Sequence, residues 1–163
     1  MSIEFYGEVS EFTKKQTERL KRMYFARWIY LLAGLLAVVS LVVAFTKEGL
    51  GFLVPLVFAV LLGGAGFLLP HLPYGKKISA PWKVRVTIDG DTVVWTQYLP
   101  QKELVKKRKL QEIKKVFRTR SCYYLVYNDI SNAIVCERSL LKRGTFDAFE
   151  MEFEGKVVSK RVD

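Results

Sequence analysis

The 163-residue chain has little of what catalytic and metal centres are built from, with one His and two Cys in its whole length. His71 has no acidic or thiol neighbour, so it makes an incomplete metal site or proton relay, and it is too isolated to pair with a cysteine nucleophile. No Gly-x-Gly-x-x-Gly follows a strand pattern and no Walker A loop occurs; Gly63-Gly64-Ala65-Gly66 sits inside an apolar run, where it cannot cradle a phosphate. Glu150, Glu152 and Glu154 are close in sequence, but Glu150 and Glu154 share the outward side of a predicted helix and Glu152 points elsewhere. No catalytic, cofactor or metal constellation is therefore expected, and no enzyme activity. Two cysteines exclude a disulfide scaffold, eleven glycines without a period of three exclude a collagenous fibre, and a hydrophobic share of 50% excludes disorder. Internal repeats are missing too.

Charge is missing from two long stretches. Trp28 to Phe45 (WIYLLAGLLAVVSLVVAF) is eighteen residues without a charge, followed by the polar Thr46 to Gly49 and by a second uncharged run from Leu50 to Leu69. At about 1.5 Å per residue the first run spans roughly 27 Å as a helix, enough to cross the hydrocarbon of a bilayer. Two successive runs of this length speak against a cleaved signal peptide and against a buried hairpin of a soluble protein. The expected organisation is an N-terminal strand and basic juxtamembrane helix (1–27), a transmembrane hairpin (28–73, with spans 28–45 and 50–69) and a polar domain (76–163).

Six cations lie in residues 1–27, one in the connector and nineteen in residues 76–163. By the positive-inside rule both termini face the cytoplasm. Trp28 and Tyr30 at one end, and Tyr74 and Trp82 after the other, suit the interface, although Trp82 fits the following domain as well. Ala59, Gly63 and Gly66 offer a strip of small residues to Ala33, Gly34, Ala37 and Ser40 of the first span. Neither span carries an Asp, Glu, Lys or Arg that could carry or counter an ion along a transport path.

The polar parts read as short strands and helices. Ile3 to Tyr6 alternates and stops at Gly7, as a strand that can pair with the domain's sheet. Ser10 caps a helix with Glu11 in its first turn. After Gly75 the period becomes two: Lys83 to Ile88, a turn at Asp89-Gly90-Asp91, and Thr92 to Tyr98 predict a hairpin. Three more strands are expected within Leu110 to Arg120, Cys122 to Asn128 and Ala133 to Leu141. Thr145 caps a final helix with Phe146, Phe149 and Phe153 on one face as core. Cys122 and Cys136 fall on adjacent strands of a reducing compartment, which favours buried free thiols over a disulfide.

An antiparallel sheet closed by one amphipathic C-terminal helix resembles a pleckstrin-homology-like (PH-like) barrel. The whole order, with Ile113 to Val116, Tyr123 to Tyr127 and Glu137 to Phe146, resembles the YcxB-like family of bacterial membrane proteins; such proteins tend to have a proline before the last helix, where this chain has Cys136, Glu137 and Arg138. The resemblance implies an α+β membrane protein: a transmembrane helical hairpin plus a PH-like antiparallel β-barrel or sheet domain, capped by a C-terminal helix and tethered to the inner face of the plasma membrane. It supplies no catalytic residues.

The most biased segment, Lys102 to Arg120, has nine cations (Lys102, Lys106, Lys107, Arg108, Lys109, Lys114, Lys115, Arg118 and Arg120) against Glu103 and Glu112. It reads either as a contact surface for anionic headgroups, at about 1 kcal/mol per cation near the membrane, or as a solvated loop and outward strand face. Nucleic acid is disfavoured, because no recognition helix or RNA-binding aromatic signature accompanies the cations. The expected function is that of a multi-pass plasma-membrane protein whose hairpin tethers a domain that binds a protein partner, anionic lipid or another copy of itself. The alternatives are a membrane enzyme or an accessory subunit of a transporter acting at the cytoplasmic face.

Overall fold

The computed structural model describes residues 2–46, 49–73 and 80–159. Lys47 and Glu48 of the expected turn, and the expected interfacial residue Tyr74, lie outside that range. The chain divides into two compact units, Met1–Thr17 with Gly75–Asp163, and Glu18–Tyr74.

The first unit is built of two sheets. Strands β1 (Ile3–Glu8), β2 (Lys83–Asp89), β3 (Thr92–Tyr98), β4 (Glu103–Lys109) and β8 (Leu141–Arg143) form one sheet in the order β4-β3-β2-β1-β8. Strands β5 (Lys115–Arg118), β6 (Cys122–Val126), β7 (Ile134–Glu137) and β9 (Val157–Ser159) form the other, in the order β7-β6-β5-β9. β1 pairs antiparallel with β2 from Ile3↔Ile88 to Glu8↔Lys83, although 74 residues separate Glu8 from Lys83. The β2–β3 hairpin turns through Gly90 and Asp91, with the positive φ (53°) at the glycine. Of the expected barrel or sheet, the described residues form open sheets: the two stay separate, with edges at β4 and β8 and at β7 and β9, and β9 adds a parallel strand after the last helix.

Alternation places Ile3, Phe5, Val84, Val86, Ile88, Val93 and Trp95 on the inner side of the five-stranded sheet. They share one core with Val116, Tyr123, Leu125, Ile134 and Cys136 of the other sheet. The short helix α3 (Phe146–Glu152), capped by the Thr145 hydroxyl accepting from Ala148 N, joins the two layers. Phe149 lies 5.5 Å from Phe5, 4.7 Å from Tyr123 and 5.0 Å from Phe153. Phe149 and Phe153 are fully buried as their spacing requires, while Phe146 is only half-buried. Trp82 also packs on this core, and its carbonyl accepts from Val9 N at 2.9 Å.

β6 is buried on both faces. Cys122, Tyr124 and Val126 point away from the shared core, and the opening turns of helix α1 (Glu11–Thr46) supply partners on that side. The Thr17 hydroxyl meets that of Tyr124 at 3.3 Å, and Ser121 donates to Gln16 Oε1 at 3.0 Å. Ser10 caps the helix by accepting from Thr13 N at 3.2 Å, while its own amide donates to the buried Glu137 carboxylate at 2.8 Å.

The second unit contains the rest of α1 and helix α2 (Leu53–Leu68), which is flanked by 3-10 turns at Leu50–Phe52 and Leu69–His71. Both helical stretches are long and apolar enough to cross a membrane, and little of either is buried. Leu31, Leu35, Val38, Val42, Val54, Phe58, Leu61 and Phe67 are exposed around them. The buried strip is made of small residues: Ala33 and Ser40 on α1, Ala59 and Gly66 on α2. A Cβ on Gly66 would come within 3.2 Å of the Tyr30 ring, so the backbone approach depends on glycine there, whereas Gly34 is exposed and faces open space rather than joining the strip. Ser40 Oγ donates to Phe52 O at 2.7 Å, and Arg22 donates to the carbonyls of Leu72 and Pro73 after the second helix.

Candidate binding surface

The basic segment is distributed over two sheets rather than gathered on one face. Among the described residues β4 pairs only with β3, from Thr92↔Lys109 to Tyr98↔Glu103, and forms an edge of the five-stranded sheet. Directly paired residues share a face, so Leu104, Lys106 and Arg108 lie on the side of Val93 and Trp95, while Glu103, Val105, Lys107 and Lys109 lie on the outer side. At the edge of a sheet even the inward positions reach solvent. The Lys106 ammonium sits 5.3 Å from the Trp95 ring centre, and the Arg108 guanidinium 4.7 Å from that of Tyr127 and 3.7 Å from the Glu112 carboxylate. Their aliphatic stems thus cover the rim of the core while their charges remain at the surface. Lys102 precedes the strand and is exposed.

The remaining cations belong to the other sheet. Lys114 and Lys115 are exposed at the start of β5, and Arg120 is exposed in the turn before β6. Arg118 is committed elsewhere: it forms an ion pair with Glu150 at 3.1 Å, and the same carboxylate accepts from the Tyr123 hydroxyl at 2.6 Å. Arg138 lies over Phe146 at 4.5 Å and near Tyr123 at 5.6 Å. Glu150 is consequently a structural anchor of α3, not one of a solvated row of acids. The Tyr123 hydrogen bond, helped by Arg118 and Arg138, holds its carboxyl below the ordinary range. Burial, reinforced by the hydrogen bond to Glu150, pushes the Tyr123 phenol up to about 12.

The outer face of the five-stranded sheet adds groups that sequence reading did not assign. Lys83 Nζ lies 5.1 Å and 5.8 Å from the centres of the Tyr6 and Tyr98 rings, which meet edge-on at 6.2 Å. Arg85 stands 4.6 Å over Tyr6 and pairs with Glu4 at 3.0 Å. Alternation in Lys83-Val84-Arg85-Val86 places both cations opposite the core side. That Tyr6 joins them follows only from the pairing of β1 with β2.

Cys122 and Cys136 occupy neighbouring strands but opposite faces, because Cys122 is in register with Glu137 and Cys136 with Tyr123. Both are free and buried, and burial raises both thiols above their ordinary range. Among the described residues no group of three or more His, Cys, Asp or Glu side chains is placed to hold a metal. His71 contacts the Phe67 ring at 5.5 Å. No family model matches the chain, and no curated protein or solved structure matches it significantly.

Proposed function

We infer that this is an integral protein of the bacterial plasma membrane, crossing it twice with both termini cytoplasmic, whose hairpin tethers a PH-like domain that acts by binding. The observation carrying this reading is the place of the apolar helices in the chain. They leave after β1 and return before β2, and those two strands are sheet partners in register from Ile3↔Ile88 to Glu8↔Lys83. An excursion through a bilayer that begins and ends in one sheet must cross an even number of times, as two spans do. The largely exposed apolar sides of both helices support lipid rather than water as their solvent. The succession of β1 to β4, β5 to β7 and a helix against the shared core supports the PH-like and YcxB-like readings, with sheets that remain open. Tethering confines the domain to two dimensions and raises its effective concentration for partners at the membrane.

Alkaline carbonate extraction of cell membranes, followed by protease treatment of right-side-out and inverted vesicles, tests this reading. The protein is expected to stay in the pellet, with Lys102 to Arg120 cleaved only in inverted vesicles. Release by carbonate would overturn the membrane reading, and cleavage in right-side-out vesicles would overturn the orientation.

A further inference from the structure

Six of the seven residues of β4 are exposed, and only Arg108 is half-buried. The hydrogen bonds of β4 to β3 follow one parity. Leu99 N donates to Lys102 O at 2.9 Å and Leu110 N to Asp91 O at 2.8 Å, so the hydrogen-bonded pairs of this register involve residues 102, 104, 106, 108 and 110 of the β4 side. The amides and carbonyls of Glu103, Val105, Lys107 and Lys109 therefore point outward along the open edge, where no strand pairs with them among the described residues. All four residues are exposed, as are Leu104 and Lys106.

We propose that β4 is a docking edge for an extended acidic peptide segment of a partner protein, which adds to the sheet as a further strand. The inference rests on the reading of this domain as a binding module and names the partner chemistry. A strand laid along Glu103–Lys109 meets alternating donors and acceptors, which another peptide backbone satisfies. Lipid phosphates only accept hydrogen bonds and would leave the outward carbonyls of β4 unmatched. Charge selects among peptides. Residues Lys102 to Lys109 carry five cations and one Glu, so a second copy of β4 would bring two net-positive strands together. Carboxylates at alternate positions lie on the outer face beside Lys107 and Lys109, and apolar residues between them lie on the inner face beside Leu104 and the stems of Lys106 and Arg108. The same cations blunt the edge against indiscriminate pairing.

The test uses the full-length protein in nanodiscs of neutral phosphatidylcholine and a fluorescein-labelled peptide of alternating Asp and Val, about eight residues long. Fluorescence anisotropy gives affinity, and hydrogen exchange reads the amides of Val105, Lys107 and Lys109. The expected result is saturable binding that weakens with salt, protection of those three amides, and no binding of the same peptide with Lys in place of Asp. Val105→Pro removes one outward amide without touching the ladder to β3 and is expected to lower affinity about tenfold, with β2 and β3 protection unchanged. Lys107→Glu with Lys109→Glu is expected to lower it further.

Absence of peptide binding, equal binding by Val105→Pro with its β2 and β3 protection intact, or bound peptide without protection of the β4 edge would each overturn the proposal. So would β4 protection that appears with protein concentration alone, which would assign the edge to a second copy, or that appears only in nanodiscs containing anionic lipid. None of these outcomes bears on carbonate extraction or vesicle topology, so the docking edge can fail while the membrane reading stands.

Discussion

The Tyr123–Glu150–Arg118 cluster gives a stability prediction whose size and pH dependence follow from geometry. Tyr123 is fully buried and its hydroxyl donates to Glu150 Oε1 at 2.6 Å, while Arg118 Nη1 approaches both carboxylate oxygens at 3.1 and 3.2 Å. A hydrogen bond to a charged group contributes about 1.5–3 kcal/mol. The Glu150 side chain is 31% exposed and that of Arg118 43%, so solvent reduces the cluster's contribution to about 1–2 kcal/mol. In urea unfolding of the full-length protein in detergent, followed by fluorescence of Trp82 and Trp95, Tyr123→Phe and Glu150→Gln are each expected to destabilise by that amount. The double variant should lose less than the sum, leaving a coupling of about 1 kcal/mol.

The pH dependence has a definite sign. The Glu150 carboxyl titrates lower in the folded state than in the unfolded chain. Its contribution is therefore present above the unfolded carboxylate value of about 4.3 and is lost as pH falls below it through the folded value. The Tyr123 phenol, raised to about 12, contributes below the unfolded value of about 10 and loses that contribution as pH rises from there towards 12. The stability difference between wild type and Tyr123→Phe should thus be flat from about pH 6 to 9 and shrink on the acid side as Glu150 is protonated. Additive single variants, or a difference unchanged down to pH 3, would refute the cluster as an energetic unit.

Three further outcomes are expected. Gly7→Ala should destabilise the β domain by about 1–3 kcal/mol in the same assay, because Gly7 has φ +150° and a Cβ there would stand 2.7 Å from Leu140 Cδ2; an unchanged midpoint would show that β1 moves aside freely. Glu137→Ala should cost about 1–3 kcal/mol, since it leaves the Ser10 amide and the Ser139 hydroxyl, both 2.8 Å from the carboxylate, without that acceptor; early hydrogen exchange at Ser10 would register the loss. Cys122 and Cys136 should resist maleimide in the folded protein and react on unfolding, since both are buried and protonated; labelling in native membranes at the rate of the denatured chain would refute their burial.

Much of the architecture was legible because it rests on local pattern. Two uncharged runs predict two long apolar helices, Ser10 and Thr145 predict helix starts, and the alternation of 83–98 with Gly90 predicts the β2–β3 hairpin; all are found. β4 has no strand pattern legible in the sequence, because an edge strand exposes both faces and its cations erase the period of two that marks a strand. β8 and β9, three residues each, are too short to carry a period and exist through pairing with β1 and β5. The resemblance implied a PH-like barrel or sheet, and the barrel form is not reached because closure needs pairing between the edges of the two sheets, a relation no local pattern encodes.

The candidate surface divides in the same way. Composition alone determined that Lys102 to Arg120 is basic, but tertiary structure decided which of its charges remain available. Arg118 is bound to Glu150 and Arg108 to Glu112 and Tyr127, while β4 presents Lys107 and Lys109 beside unpaired backbone. Sequence by itself determined the helices, the turns and the net charge of each segment, because those follow from residues a few positions apart. The pairing of Glu8 with Lys83, the open edge at β4 and the opposite facing of Cys122 and Cys136 depend on strand register between distant segments, and register is settled only when both strands commit a face to a shared core.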